Sequence, residues 1–355
     1  MASITVPSEP PPPRQDAKDL RRAFEDRDKP AIIKILAHRD GSQRALIQQE
    51  YRAMYCVDLS TQIESDLWGH LKEGLLLWLP DPTTRDVNLL RDALTPETTT
   101  IIMDQPKEPT TDEQPDPTTD EPPDPKSDQP ENLTRTRIDE TTVIEIICSR
   151  DSSEMQAIRQ AYDSEEGTTP LDETISQWFA GDCQMLLLSC IGDKLEYDEP
   201  EVDPELVEID VEELYKAGEK RLGTDEDVFI RIFTQRSWPH LAAVYDSYKK
   251  TYDKSLDKVV DSETTGNFRF ALETILNCAV NRPKYYAKGL RQAMKGLGTS
   301  DTTLIFIVVT RAEIDMEHIK AEYKKKYHKK LEKAIHSDTS GNYRLFLEAL
   351  VGHTD

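Results

Sequence analysis

Two glycine-containing turns in the C-terminal half of the chain are each followed, at the same distance, by an acidic residue. Gly296-Leu297-Gly298-Thr299 is separated from Asp338 by 38 residues, and Leu222-Gly223-Thr224 is separated from Glu263 by 38 residues as well. Because glycine has no Cβ, it lets a turn direct its carbonyl oxygens outward. Carbonyl oxygens with one carboxylate form a set of hard donors, and Ca²⁺ takes about six to eight such oxygens. The pattern therefore indicates two calcium sites.

Each turn follows a predicted helix, whose C-terminal carbonyls carry partial negative charge that favours a cation. With one formal charge per site, the affinity for Ca²⁺ alone should be weak, on the order of 10⁻⁴ to 10⁻³ M. Coordination positions left open would accept a lipid phosphate oxygen. A glycine turn that only caps a helix is the alternative for either turn alone. The spacing of a phosphate-binding P-loop and the alternating acids of an EF-hand are both absent from these turns.

The two turns belong to an internal fourfold repeat. Each unit has a Leu-x-x-Ala pair, then two apolar pairs around one spacer, an arginine, a tyrosine and a glycine. The four arginines are Arg39, Arg150, Arg236 and Arg311. The tyrosines are Tyr51, Tyr162, Tyr248 and Tyr323, and the glycines are Gly69, Gly181, Gly266 and Gly341. Fourfold recurrence favours a helix-end hydrogen-bonding role for the arginines over catalysis.

The apolar spacing within a unit is helical, and a unit of about 75 residues has room for some five short helices. We therefore predict an all-α fold of four repeats. Its predicted segments are a Pro-rich tail 1–13, repeat I 14–82, repeat II 83–192, an acidic linker 193–213, repeat III 214–282 and repeat IV 283–355.

Repeat II contains an insertion at residues 96–131, with 11 acids against 2 lysines and nine prolines. Such a segment buries too little apolar surface to offset the entropy of ordering, so it is expected to be disordered. In the linker, Pro200 and Pro204 are expected to stop helices, although the apolar residues that follow suit a short one.

Composition limits the class of protein. No run of 18 apolar residues indicates a membrane span, and the Pro-rich start is not a secretory signal. Five cysteines without a CxxC pair favour a reducing compartment, so the expected location is cytoplasmic, with export by a signal-less route left open.

The net charge of −23 argues against nucleic acid as a partner, yet residues 214–355 carry 24 Lys/Arg against 19 Asp/Glu. The sequence shows no nucleophile, acid–base pair or cofactor loop, so no enzyme is predicted.

Four repeats of about 75 residues, with Gly-x-Gly-Thr followed by an acid, resemble the annexin family. The resemblance covers nearly the whole chain outside residues 1–13, the insertion and the linker. It implies five helices per repeat, a curved disc, and calcium sites on the convex face that meets phospholipid headgroups. The implied ligands in repeat IV are the carbonyls of Met294, Gly296 and Gly298 with the carboxylate of Asp338. Those in repeat III are the carbonyls of Gly218, Arg221 and Gly223 with the carboxylate of Glu263.

Repeats I and II depart from this pattern. Repeat I has Glu25-Asp26-Arg27-Asp28 in place of the glycine turn but retains an aligned acid, Asp66. No ordinary site is expected there, and an irregular one from Asp26, Asp28 and Asp66 is left open. Repeat II has Trp178 in place of the acid and no glycine turn, so its site is expected to be lost.

The favoured function is calcium-dependent, reversible binding to acidic phospholipids such as phosphatidylserine, through repeats III and IV. The alternative is a helical scaffold that binds proteins through Pro10–Pro13 and the acidic insertion.

Leu222 and Leu297, at the turn tips, are candidates for dipping into the headgroup boundary. Cys183 aligns with core positions, and an intersubunit disulfide in a homodimer is left as the alternative.

Overall fold

A computed structural model describes residues 1–101, 133–165, 167–192, 202–296 and 298–352, without the side chains of 98–101 and 133–135. Helices dominate this part of the chain, and five helical segments make up each repeat. Repeat I comprises α1 (Pro13–Glu25), α2 (Lys29–Leu36), α3 (Gly41–Tyr55), α4 (Leu59–Asp66) and α5 (Gly69–Trp78). Repeat II comprises α6 (Pro82–Leu94), α7 (Glu140–Ser149), α8 (Ser152–Asp163), α9 (Leu171–Trp178) and α10 (Gly181–Ile191).

The C-terminal half repeats this order, with one long helix shared between two units. It comprises α11 (Pro204–Ala217), α12 (Glu226–Gln235), α13 (Trp238–Tyr252), α14 (Leu256–Glu263), α15 (Gly266–Ala293), α16 (Asp301–Arg311), α17 (Met316–Tyr327), α18 (Leu331–Asp338) and α19 (Gly341–Leu350). The backbone of α15 leaves helical geometry at Asn281, two residues before Pro283, which cannot donate a backbone hydrogen bond. The first half of α15 therefore closes repeat III and the second half opens repeat IV. The predicted all-α, four-repeat fold is confirmed.

Local sequence explains where many helices begin. Asp28, Asp139 and Asp203 each accept a backbone hydrogen bond in the first turn of the helix that follows, which satisfies a donor that the helix itself leaves unpaired. Proline is favoured at the first helical position because its missing N–H is not needed there. Pro204 accordingly begins α11 rather than stopping a helix, and α11 extends through residues that composition assigns to the linker.

The hydrophobic core consists of two clusters, each built by two repeats. Repeats I and IV share one, in which α5 packs on α16 and α2 on α19. Repeats II and III share the other, in which α10 packs on α12. Each repeat therefore completes its core against a partner unit, and the chain ends meet because repeat I pairs with repeat IV. The N-terminal tail packs against repeat IV as well, since the Ser3 amide donates to the Ala312 carbonyl at 2.9 Å.

The recurring arginines are buried or nearly so at the helix ends. Three of them make paired hydrogen bonds of 2.6–2.9 Å to an aspartate in the first helix of the same repeat. The pairs are Arg39–Asp16, Arg150–Asp86 and Arg236–Asp210. In repeat IV, Tyr286 stands at the aspartate position, and Arg311 lies over its ring and pairs with Asp315. The arginines thus join helices, as their recurrence predicts.

A short antiparallel ribbon stands at the base of the insertion in repeat II. Strand β1 (Glu97–Ile101) pairs with β2 (Leu133–Arg137), and Glu97 is the register partner of Arg137. Residues 97–101 lie within the stretch predicted to be disordered, but they form a strand because β2 supplies hydrogen-bonding partners. The rest of the predicted insertion, from residue 102, lies outside the described residues. Among the helices that are described, none combines the length and apolarity needed to cross a bilayer.

Candidate functional site

One hydrogen bond closes the loop between the first and second helices of all four repeats. In repeat I the Asp28 amide donates to the Ala23 carbonyl at 2.8 Å, and in repeat II the Asp139 amide donates to the Ala93 carbonyl at 2.9 Å. The equivalent bonds in repeats III and IV are Asp225 to Ala217 and Ser300 to Ala293, both 2.8 Å. The glycine turns and the acidic insertion therefore occupy the same loop, held at its base in the same way.

In repeat III the structure brings Glu263 to the glycine turn. The Thr224 hydroxyl lies 2.9 Å from the carbonyl oxygen of Glu263 and 3.3 Å from its Oε2. A Cβ on Gly218 would lie 3.3 Å from Glu263 Cγ, so glycine permits this close approach. Gly223 has φ +80°, a conformation that other residues rarely adopt. Gly218 therefore lies beside Glu263, and Gly223 directly precedes the threonine that contacts it.

Repeat IV repeats this arrangement. The Thr299 hydroxyl lies 3.2 Å from Oδ2 of Asp338 and 3.4 Å from its carbonyl oxygen. Gly296 and Gly298 have φ values of +116° and +104°, and the buried Met294 is the C-cap residue that follows α15. The loop also contains Leu297, a predicted membrane-facing residue that lies outside the described residues. Thr224 and Thr299 belong to the sequence motif, but nothing in the pattern predicts a role for their hydroxyl groups.

Two helix C-termini converge at each of these places. Glu263 and Asp338 are the last residues of α14 and α18, while α11 and α15 end at the start of the two glycine turns. Helix C-termini present unpaired carbonyls with partial negative charge. Among the described residues, no three His, Cys, Asp or Glu side chains are grouped as metal ligands. A site here must consequently draw most of its oxygens from the backbone, and backbone carbonyls with one carboxylate suit Ca²⁺.

Other groups around the turn of repeat III are already engaged. The Gly218 carbonyl accepts a hydrogen bond from the Arg221 amide at 3.0 Å, which leaves one lone pair for a cation. The Arg221 side chain pairs with Asp225 at 2.9 Å, so only its backbone carbonyl is a candidate ligand. Glu219 accepts from the Tyr248 hydroxyl at 2.8 Å and from Lys254 at 2.9 Å. These contacts anchor the turn to α13 and the residues that follow it.

The acids of repeat I have other partners. Asp28 accepts from the Ala31 amide and caps α2. Asp66 accepts from Gln62 at 2.6 Å within its own helix. Since the described residues contain no group of three potential ligand side chains, the three-acid irregular site left open above is not formed. The two loops are instead joined by Lys29, whose Nζ lies 3.3 Å from the centre of the Trp68 ring.

Repeat II has neither part of the site. Trp178 ends α9 at the position that Glu263 and Asp338 occupy in their repeats. The β1–β2 ribbon stands where the glycine turn would be. Cys183 follows on α10 and is buried, and burial raises the pKa of its thiol to about 12. This thiol is therefore a core group, in agreement with its aligned position.

Comparisons with known proteins agree with this architecture. The family model described as Annexin matches residues 15–78, 131–190, 209–275 and 285–350. Annexin D5 of Arabidopsis thaliana is 40% identical over 99% of this chain and 99% of its own length. The solved structure of annexin III matches with a TM-score of 0.81 at 32% identity, covering 99% of this chain and 98% of that one.

A solved structure of calcium-bound annexin (Sm)1 matches with a TM-score of 0.72 at 27% identity, covering 99% of this chain and 93% of that one. The family match spans more than half of the chain and all four repeats. The chain belongs to the annexin family, which binds Ca²⁺ and, in its presence, attaches peripherally to phospholipid membranes.

Proposed function

We propose that this protein binds anionic phospholipid membranes reversibly through calcium sites in repeats III and IV, and that repeats I and II hold no equivalent site. One observation carries the proposal: in both repeats the acid distant in sequence lies against its glycine turn, joined to it through a threonine hydroxyl. Neither repeat I nor repeat II has a glycine turn there. The proposed metal ligands are therefore those of the two C-terminal repeats.

In repeat IV the carbonyls of Met294, Gly296 and Gly298 and the carboxylate of Asp338 would hold the ion. In repeat III the carbonyls of Gly218, Arg221 and Gly223 and the carboxylate of Glu263 would do so. Ca²⁺ bound there supplies a positive bridge between these oxygens and a lipid phosphate. The threonine hydroxyls orient the carboxylates before the ion arrives, which lowers the entropic cost of assembling the site.

The charge of the C-terminal half supports an anionic membrane as the partner. Residues 214–355 are net positive although the whole chain is net negative, and each basic residue near an anionic surface adds about 1 kcal/mol. Leu222 is fully exposed at the tip of its turn, where it can enter the headgroup boundary. Phosphatidylserine in the cytoplasmic leaflet is the proposed target, which would make this a cytoplasmic protein that attaches peripherally when Ca²⁺ rises.

Cosedimentation with phosphatidylserine vesicles across a calcium series tests the proposal. Wild type should pellet with vesicles when Ca²⁺ is present and return to the supernatant on chelation. Glu263→Ala combined with Asp338→Ala should remove most of this binding. The matched control is Asp261→Ala combined with Glu322→Ala, which deletes the same charge from acids paired with Arg269 and Lys325. Full binding by the first double variant would refute the site assignment.

A further inference from the structure

Repeat I joins its two loops by a contact of different chemistry. In repeats III and IV the loop after the first helix meets the end of the fourth helix through a threonine and an acid. In repeat I, Lys29 begins α2 and Trp68 lies between α4 and α5, so the Lys29–Trp68 contact joins the corresponding loops. An ammonium group and an indole ring thus join the loop pair that corresponds to the one joined by a threonine and an acid in repeats III and IV. Lys29 places a positive charge at this loop pair.

Trp68 is unusual in its exposure. The chain has four tryptophans, and 70% of the surface of Trp68 is accessible to solvent. Trp78 by contrast is fully buried, with its indole N–H donating to the Leu36 carbonyl at 2.8 Å. An indole ring buries roughly 150–250 Å² when it is covered. A tryptophan left in water therefore does not contribute the free energy that burial of this area would add to folding. In the sequence, Trp68 can be found by its position directly before Gly69, one of the four glycines of the repeat pattern.

Tryptophan is enriched at membrane–water interfaces, where its ring is amphipathic. Lysine beside it can keep its stem on the ring while its ammonium group reaches a phosphate. The exposed acids Glu25 and Asp26 are close to Lys29 in sequence and oppose an anionic surface. The indole, more than net charge, must therefore supply the attraction at this loop pair.

We propose that Trp68, supported by Lys29, anchors repeat I in the headgroup boundary of the membrane bound by repeats III and IV, without a calcium ion of its own. The inference rests on the proposed function, since it assumes the same bilayer. Two observations favour a membrane as the occupant. The loop pair corresponds to the two candidate calcium loops in the repeat pattern, and the ammonium is complementary to lipid phosphate.

Tryptophan fluorescence tests the contact directly. In a Trp178→Phe, Trp238→Phe background, the two remaining indoles are exposed Trp68 and buried Trp78, which acts as an internal reference. Phosphatidylserine vesicles with Ca²⁺ should shift the emission to shorter wavelength, and lipids brominated near the headgroup should quench it. Adding Trp68→Phe should abolish both effects. An emission spectrum unchanged by vesicles that do bind the protein would overturn the inference.

Affinity supplies the second measurement. At saturating Ca²⁺, Trp68→Ala should weaken vesicle binding about tenfold, with little dependence on salt. The control is Leu46→Ala, which removes a half-exposed apolar side chain from α3, a helix that contains neither loop, and should leave binding unchanged. If wild type binds and Trp68→Ala binds equally well, the inference fails and the proposed function stands. If wild type does not bind with Ca²⁺, the proposed function itself fails.

Discussion

The hydroxyl of Thr224 lies within hydrogen-bonding distance of both the main-chain carbonyl and the carboxylate of Glu263, although 38 residues separate them. The single hydroxyl proton is shared between these two acceptors, so one threonine ties the loop to the end of α14 and holds the carboxylate toward the glycine turn. Thr299 and Asp338 show the same relationship in repeat IV. A threonine in this position therefore holds the acid close to the glycine turn, whose carbonyl oxygens are the other proposed calcium ligands.

Replacing this threonine should weaken calcium binding while leaving every proposed ligand in place. Thr224→Val keeps the shape of the side chain but removes the hydroxyl, so Glu263 loses an orienting hydrogen bond worth about 1 kcal/mol. We expect the half-maximal Ca²⁺ concentration for vesicle binding through repeat III to rise about fivefold, measured in an Asp338→Ala background. Thr303→Val, at an exposed threonine of α16, is the control. An unchanged calcium dependence in Thr224→Val would contradict the orienting role.

The glycine turns should tolerate side chains poorly for reasons of backbone conformation. A Cβ on Gly298 meets no atom within 4 Å, but φ is +104°, so Gly298→Ala should cost about 1 kcal/mol of folding stability or displace the turn. Gly167 has φ +82° and equally open surroundings, but it lies between α8 and α9 of repeat II, a loop that contributes no candidate ligand. Both variants should lower Tm, and only Gly298→Ala should raise the Ca²⁺ requirement. An equal calcium dependence in the two variants would indicate that the turn does not bind the ion.

The buried carboxyl of Asp210, which pairs with Arg236 in repeat III, should make folding stability depend on pH. Burial of the Asp210 carboxyl opposes ionisation, but hydrogen bonds with His240 and Arg236 outweigh it and lower the pKa of Asp210 below its usual 3.8. A lowered pKa stabilises the fold above the unfolded value, and this contribution is lost as pH falls through the folded value. Asp210→Asn should therefore cost about 3 kcal/mol at neutral pH and progressively less below about pH 4, measured by urea denaturation.

The control for this measurement is an exposed ion pair. Asp261 is two-thirds exposed and pairs with Arg269, so Asp261→Asn should change the free energy of unfolding by less than about 1 kcal/mol at any pH. If the cost of Asp210→Asn stayed constant down to strongly acidic pH, the ionised carboxylate would not be the stabilising species.

Removing the acidic insertion should strengthen membrane binding. Residues 102–132 contain ten acids and two lysines, and the ribbon places both their ends in the loop that carries the calcium turn in repeats III and IV. Joining Ile101 to Leu133 through an Asn-Gly turn preserves the ribbon. We expect the deletion to raise vesicle affinity several-fold at low salt, with a difference that shrinks as salt screens the repulsion. A full-length variant with these acids changed to amides should behave similarly. Unchanged affinity in both variants would favour the scaffold role for this segment.

The sequence by itself determined the repeat and the helical class, and it predicted which residues would bind calcium. Recurring apolar pairs indicate which face of a helix is buried. Glycines and acidic residues indicate which oxygen atoms could bind a cation. These features are local or depend on spacing along the chain, so the amino-acid sequence alone contains them. The same features predict calcium sites in repeats III and IV and no equivalent site in repeats I and II.

Only the tertiary structure decided which units and side chains meet. Repeat I packs on repeat IV because each leaves an apolar face that the other covers, and periodicity reports such a face without naming its partner. The Thr224–Glu263 and Lys29–Trp68 contacts likewise join different loops. Their geometry depends on how α11 to α14, or α1 to α5, pack together. The ribbon at the base of the insertion has the same origin, because an isolated strand gains its hydrogen bonds only when the distant second strand lies beside it.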